Sequence, residues 1–480
     1  MILERRAKIV CTIGPSSRSA EVMRRLVLNG LDVARFNFSH GGPSVQDEMI
    51  QRLRDVSAQA GRPVAILQDL QGPKIRTGAL VVGAVALREG QEYCITTRSV
   101  PGDEKEVSTT YQGLPRDCRI GDTILLDDGK IALLVEDTTS TDVLVTVTRG
   151  GELKPSKGIN LPGVAVSTPA LSEKDRHDVD WGIKNGVDFV ALSFVRHPDD
   201  VLKLRAIIDE HASPTRIIAK LEKPQAIDWL DEIIDAADGV MVARGDLGVE
   251  MEPEEVPLLQ KRIIRAANEA GKLVITATQM LESMTQSPLP TRAEASDVAN
   301  AVLDGTDALM LSGETAAGAY PVESLQMMAR IIEQVEADRS DDPVRRRSAH
   351  HDGEKDFTSG ICEAAAGVAD AMEAKAIVCF TETGNSARRL SQFRPSVPII
   401  ACTPHPDVAR QLQMAWGVLP HIVPPSADTD EMLRLADSEM QKSGFVVAGD
   451  VVVVTLGAPV AMRGSTNLMN LHRIGSMQGG

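Results

Sequence analysis

Eight short runs of mostly apolar residues recur along the chain: AKIVCTIG (7–14), VARFNFS (33–39), VAILQDL (64–70), FVALSFV (189–195), RIIAKLE (216–222), GVMVARG (239–245), LVITATQ (273–279) and ALMLSGE (308–314). Near-continuous apolar character means that both faces of a strand are covered, as in a parallel sheet. Stretches with helical periodicity follow all but the third run, among them EVMRRLVLNG, PDDVLKLRAIIDEHA and VPLLQKRIIRAANEAG, the last closing on a glycine that suits a helix C-terminus. Eight such strand–helix units predict an α/β protein built on a closed (β/α)8 TIM barrel, with an open doubly wound sheet as the alternative.

The third unit is interrupted over residues 73–168, where GQEYCITT, GDTILLDDGKIALLVED and TDVLVTVTRGG are short strands punctuated by Gly, Asp and Thr. This texture predicts an inserted β-barrel domain. Both of its connections leave from the end of the third strand, so it sits over the barrel mouth as a lid. After a helix near 323–339, the polar run RSDDPVRRRSAHHDGEKD reads as a linker. KAIVCFT, a helix from 385, VPIIACT, a helix from 406 and DVVVVTLG then predict a separate C-terminal α/β regulatory domain. The expected boundaries are 1–72 and 169–340 for the barrel, 73–168 for the lid and 341–480 for the C-terminal domain.

Composition narrows the function. The 480 residues, 43% of them hydrophobic, suffice for several full cores. A net charge of −16 disfavours nucleic acid and anionic membranes, so an anionic substrate would need locally concentrated cations. Neither a membrane-length apolar run nor a secretory leader is visible, which predicts a cytoplasmic protein. The six cysteines are scattered without a CxxC pair, against zinc and against a disulfide framework.

Chemistry in a barrel gathers at the C-terminal ends of the strands. Those ends carry Arg35, Asn37, Ser39 and His40; Asp69, Lys74 and Arg76; Lys220 and Glu222; Arg244 and Asp246; Thr276 and Thr278; Ser312 and Glu314. Lys220 and Glu222 alternate with Leu221 and so share one face. Taken alone they are a solvated strand-end ion pair or a metal ligand beside a cation, and the agreement among so many strand ends favours the second. Glu222 and Asp246 are oxygen donors suited to Mg²⁺ or Mn²⁺, which take one or two carboxylates plus substrate oxygens. Lys220 beside them suits a phosphoryl group, and the ARGDLG turn offers backbone N–H groups to a carboxylate or phosphate.

KIVCTIGPSS, ARFNFSHG, QGPKIRTG, INLPGVAVSTPALSEKD, AKLEKPQAI, GVMVARGDLGVE, TATQMLESM, PTRAEASDVANAVLDGTDALMLSGETAAG and TETGNSARR together resemble the pyruvate kinase family, in its order, over nearly the whole chain. The resemblance implies transfer of the phosphoryl group of phosphoenolpyruvate to ADP, giving pyruvate and ATP, the last step of glycolysis. It implies that Lys220 stabilises the phosphoryl group in flight and that Glu222 and Asp246 hold Mg²⁺ or Mn²⁺. Arg35, Lys220, Gly245, Asp246 and Thr278 would bind substrate, with Thr278 near the carbon that is protonated. Arg35, Asn37, His40 and Arg76 would meet the nucleotide, Arg76 arriving with the lid. The resemblance also implies a homotetramer. The sequence departs from the family pattern at His197 and Ala317, each of which removes a fixed positive charge from the nucleotide side.

A further departure is Lys74, where the family pattern has a glutamate beside a K⁺ site matching Asn37, Ser39, Asp69 and the carbonyl of Leu70. A lysine there predicts that K⁺ is not required. In TETGNSARR, Thr381, Thr383, Ser386 and the amides of the following helix form either an ordinary helix cap or a phosphate site facing Arg463, Gly464, Ser465, Thr466 and Asn467. The phosphate reading predicts activation by a phosphorylated metabolite. Two other function classes compete: a metal-dependent aldolase or lyase, which has no use for a nucleotide lid carrying Arg76, and a non-catalytic metabolite sensor, which would lack Lys220, Glu222, Asp246 or Thr278.

Overall fold

The eight apolar runs form the eight parallel strands of one closed barrel: Lys8–Thr12, Val33–Asn37, Ala65–Asp69, Phe189–Leu192, Arg216–Leu221, Gly239–Ala243, Leu273–Ala277 and Ala308–Leu311. They are called strands 1 to 8 below. Strand 8 pairs back onto strand 1, which closes the cylinder and rules out the open sheet. This computed structural model describes residues 5–39, 43–338, 357–426, 428–458 and 466–476; the linker expected over 339–356 lies outside them.

Successive residues serve two cores, which is why the runs are apolar throughout. Val10, Leu67, Ile218 and Met241 belong to one buried cluster, while their neighbours Ile9, Ile66, Ile217 and Val240 belong to another, shared with helix residues such as Leu26, Leu53 and Ile263. The helix missing after the third run is Glu173–Lys184, displaced beyond the insertion and started by a reciprocal cap between Ser172 and Asp175.

At the lower rim, the residue before each even-numbered strand is an aspartate, buried at 32, 188 and 307 and half-buried at 238, that accepts a backbone N–H from the preceding odd-numbered strand. Asp32 accepts from Ile9 at 2.8 Å, Asp188 from Ile66 at 2.8 Å, Asp238 from Ile217 at 2.8 Å and Asp307 from Val274 at 2.9 Å. Each also pairs with an arginine, respectively Arg5 (2.7 Å), Arg410 (2.9 Å), Arg205 (2.5 Å) and Arg394 (2.7 Å). Arg410 and Arg394 belong to the C-terminal domain, so two of the four clamps also fasten that domain to the barrel.

The insertion is a six-stranded mixed sheet with a two-stranded ribbon, Val85–Leu87 with Gly151–Leu153, closed around one apolar cluster that includes Tyr93, Ile95, Ile124 and Val145. It meets the upper rim of the barrel. Asn160 donates to Glu250 at 2.9 Å, and Arg196 donates to the carbonyls of Val166 and Thr168. The C-terminal sheet runs Val418–Ile422, Ile399–Thr403, Ala376–Phe380, Val451–Leu456 and Leu468–Arg473, the last strand antiparallel. Its first and last strands, and the helices Phe357–Ala371 and Thr429–Ser443, are elements that the sequence pattern did not disclose. No described helix is long and apolar enough to cross a membrane.

Candidate active site

Strand 5 delivers Lys220 and Glu222 together to the upper end of the barrel, both buried. The Lys220 ammonium donates to Glu222 at 2.7 Å, to Ser193 Oγ at 2.8 Å and to Asp69 at 3.2 Å. Burial alone would push this ammonium down, but the carboxylates of Asp69, Glu222 and Asp246 outweigh it and hold Lys220 charged, well above the ordinary lysine value. A fully charged, nearly dry cation at the end of a strand is what a transferring phosphoryl group requires.

Strands 2 and 3 contribute the opposite wall. Arg35 donates through Nε to Asp69 at 2.7 Å and through Nη1 to Thr12 Oγ1 at 2.8 Å, so its fork is fixed in place. Burial would raise Asp69, yet Lys220 and Arg35 hold it below the usual carboxylate range. Glu222 goes the other way: burial pushes it up, Asp246 adds to this, and the opposing pull of Lys220 does not cancel them. Its second oxygen accepts the backbone N–H of Phe194 at 2.9 Å.

Asp246 lies in the first turn of the short helix Arg244–Glu250 and is exposed at the mouth. Asp246 thus raises the proton affinity of Glu222 across a space that a divalent cation would neutralise, and this donor set fits Mg²⁺ or Mn²⁺. Among the described residues no group of three or more His, Cys, Asp or Glu converges, in keeping with an ion that completes its shell from substrate and water.

Thr278 follows strand 7 with φ 68°, and Gln279 with φ 54°. A β-branched residue is rarely held there, and such strain concentrates at functional sites. Arg244 holds this turn: it donates to the carbonyls of Ala277 (3.2 Å) and Thr278 (2.7 Å) and is braced by Asp297 at 2.7 Å. Thr278 Oγ1 in turn accepts the N–H of Gly245 at 2.8 Å. The Gly245 amide is therefore engaged within the protein, which corrects the expectation of a free amide in ARGDLG.

Two expectations drawn from the sequence are not met by direct contact. Lys74 is exposed and lines a cavity of about 90 Å³ with Asp128 and Asp246, rather than touching the oxygens of Asn37, Asp69 and Leu70. Those oxygens already have partners: Asn37 Oδ1 accepts from the Ser39 amide at 3.0 Å, the Leu70 carbonyl from Ser193 at 2.8 Å, and Asp69 from Arg35 and Lys220. Arg76 is held inside the lid, donating to the Ser156 carbonyl at 2.9 Å. His40 lies outside the described residues. Ser312 and Glu314 serve loop structure, the buried Glu314 carboxylate accepting the amides of Ser312 (2.7 Å) and Leu281 (3.0 Å). His197 caps the helix Pro198–Glu210, and Ala317 is exposed.

Ser193 was missed at the sequence level. Its hydroxyl joins Lys220 to the Leu70 carbonyl, and its one signal was a polar residue inside FVALSFV, where strand 4 emerges from the barrel. In the C-terminal domain, Thr381 Oγ1 accepts the Gly384 amide at 2.9 Å and Ser386 bonds the Thr466 hydroxyl, while the helix Asn385–Gln392 begins at Gly384 without a side-chain cap. Thr383 is exposed and Asn467 bonds Ala458; Arg463, Gly464 and Ser465 lie outside the described residues.

The family model for the pyruvate kinase barrel domain matches residues 4–325, and that for the pyruvate kinase alpha/beta domain matches residues 359–472. A pyruvate kinase of Mycobacterium tuberculosis is 48% identical over 473 residues, covering 98% of this chain and 99% of that protein. One from Geobacillus stearothermophilus is 46% identical over 479 residues, covering 99% of this chain and 81% of that protein. The crystal structure of a pyruvate kinase from Cryptosporidium parvum superposes with a TM-score of 0.93 at 39% identity, over 98% of this chain and 96% of that one.

Proposed function

Because the chain belongs to the pyruvate kinase family, we propose that its transfer of a phosphoryl group from phosphoenolpyruvate to ADP is carried by Lys220, Arg35 and, on lid closure, Arg76. The observation that carries this assignment is the Lys220 ammonium, buried yet kept charged by Asp69 and Glu222 and oriented by Ser193. Phosphoryl transfer calls for positioning and charge neutralisation rather than a protein nucleophile.

Lys220 meets the phosphoryl oxygens, and the fixed fork of Arg35 meets them from the opposite wall. Arg76 joins when the lid descends and excludes water in the same motion. Thr278, Gly245 and Asp246 orient the three-carbon part of the substrate. The proton that converts enolate to pyruvate is delivered by water near Thr278, since a threonine hydroxyl is a poor acid. The family needs Mg²⁺ or Mn²⁺, and here Glu222 and Asp246 would hold the ion. Bound, it supplies Lewis-acid stabilisation of the substrate oxygens and of the enolate. A coupled assay of pyruvate and ATP formation, with and without ADP, tests the reading; pyruvate formed equally without ADP would favour a lyase.

The chain works without K⁺. Two observations support this: the oxygens of Asn37, Asp69 and Leu70 already have protein partners, and Lys74, an ammonium where the family pattern has a glutamate, lines the space beneath the lid. A phosphorylated metabolite activates the enzyme at Thr381, Thr383 and Ser386, a reading supported by the uncapped start of the helix Asn385–Gln392. Kinetics at low phosphoenolpyruvate with sugar phosphates and AMP test it, and indifference to all of them leaves a plain helix start. A homotetramer and a division of the chain at 72/73, 168/169 and 340/341 complete the proposal; exposed Leu258 and Leu289 offer apolar surface for subunit contact. Light scattering tests the assembly.

A further inference from the structure

We propose that a cavity between the lower rim of the barrel and the C-terminal domain is a second anion site, taking a phosphorylated small molecule of sugar-phosphate size. Its volume is about 470 Å³, within the range of small-molecule pockets. Arg216 and Lys272 of the barrel face Arg388, Arg389 and Arg394 of the C-terminal domain across it. The three aspartates in its wall do not balance these five cations. Arg216 pairs with Asp238 at 3.2 Å and Arg394 with Asp307 at 2.7 Å, and both carboxylates are already engaged in the rim clamps. Among the described residues Lys272 bonds only backbone carbonyls, of Asp235 at 2.9 Å and Ala237 at 2.7 Å.

Among the described residues no carboxylate pairs with Arg388 or Arg389. Arg388 donates through Nη2 to the Thr383 carbonyl at 3.0 Å, while its Nη1 is buried and has no hydrogen-bond partner. Leaving a guanidinium nitrogen in that state is costly unless an anion completes it. Burial, reinforced by Arg216, pushes Arg388 down to about 9, and burial likewise lowers Lys272. In a chain with a net charge of −16, this is a local excess of positive charge that a phosphate dianion would relieve. Guanidinium forks match phosphate oxygens two at a time, and the exposed Asn385 amide in the cavity wall suits a sugar hydroxyl.

The site is separate from the activator site proposed above. The helix Asn385–Gln392 turns Ser386 toward Thr466 and presents Arg388 and Arg389 to the cavity, so different faces of one helix serve the two.

The test is isothermal titration of the full-length protein with ribose 5-phosphate and glucose 6-phosphate, beside ribose, glucose and inorganic phosphate. The expected result is a binding event for a phosphorylated sugar that persists in Thr383→Ala, the variant that silences the activator site proposed above, and that is weakened at least about tenfold by Arg388→Gln or Arg389→Gln. Arg389, half-buried on the wall, provides the variant that tests the site should Arg388→Gln fail to fold. Absence of binding by either sugar phosphate up to about 10 mM would overturn the proposal. So would binding lost in Thr383→Ala but kept in both arginine variants. Inorganic phosphate binding as tightly as the sugar phosphates would overturn the sugar-sized assignment.

Discussion

Lys220→Met removes an ammonium while keeping a side chain of similar length, and its consequences divide between catalysis and stability. The lost cation bonds Glu222 at 2.7 Å, Ser193 at 2.8 Å and Asp69 at 3.2 Å. A preorganised group acting on charge in the transition state is worth roughly 4 kcal/mol, so kcat should fall by about three orders of magnitude. Breaking a buried ion pair outright costs about 3–5 kcal/mol, but here Asp69 keeps Arg35 and Glu222 keeps the Phe194 amide, so the cost is smaller and the variant folds. Glu222, already pushed up by burial, takes a proton and lessens the loss further. Coupled pyruvate assays give kcat, and circular dichroism with urea unfolding gives the fold and its stability. A folded variant with kcat within about tenfold of wild type would refute the catalytic assignment. Adding Glu222→Gln to Lys220→Met should recover about 1 kcal/mol or more, because the carboxylate left without its cation is gone; a double variant less stable than Lys220→Met would sink the pairing argument.

Glu222→Gln alone should raise the Mg²⁺ concentration needed for half-maximal activity steeply, and an unchanged metal titration would count against Glu222 as a ligand. Ser193→Ala should lower kcat by about 3- to 10-fold with little change in KM, since it loosens the Lys220 ammonium without touching the substrate; an effect confined to KM would contradict that role. Wild-type turnover in Mg²⁺ with tetramethylammonium as the monovalent cation should match that in K⁺, and Lys74→Glu should create a K⁺ requirement; K⁺ activation of wild type on the order of tenfold would refute the idea. Lys8 is buried with its ammonium on the Val418 carbonyl at 2.6 Å, and burial pushes it from 10.5 down to about 8. The unfolded chain therefore binds more protons between those values, so wild-type stability should rise by about 3 kcal/mol across that window relative to Lys8→Met. Parallel urea curves for the two proteins across that window would show the coupling to be absent.

The barrel was legible because its strands bury both faces and end in polar side chains at one rim, so eight apolar runs and their last residues disclosed both fold and site. Ser193, by contrast, reads as a break in an apolar run until strands 3, 4 and 5 are brought together. The grip of Arg244 on Thr278 spans 34 residues and acts through a carbonyl, which no side-chain pattern reports. The same limit applies to φ 68° at Thr278. The strand-end pattern includes Thr278 and the family resemblance gives it a role, whereas its strain is visible only in the backbone. In the C-terminal domain, the antiparallel strand Leu468–Arg473 mixes polar and apolar residues at a sheet edge and gives no apolar run.

The Asp188 clamp bears on how a barrel tolerates a whole domain spliced into it. Strand 3 ends at Asp69 and strand 4 begins at Phe189, a separation of 120 residues, against 28 between strand 2, which ends at Asn37, and strand 3, which begins at Ala65. Closing a flexible loop costs about 0.6 kcal/mol per doubling of its length, so the roughly fourfold longer excursion adds only about 1.3 kcal/mol of chain entropy. A hydrogen bond to a charged group contributes about 1.5–3 kcal/mol, and Asp188, which pairs with Arg410 and Arg54, accepts one from the Ile66 amide of strand 3. One carboxylate at the far end of the cylinder thus offsets the entropy of carrying a whole domain between two paired strands.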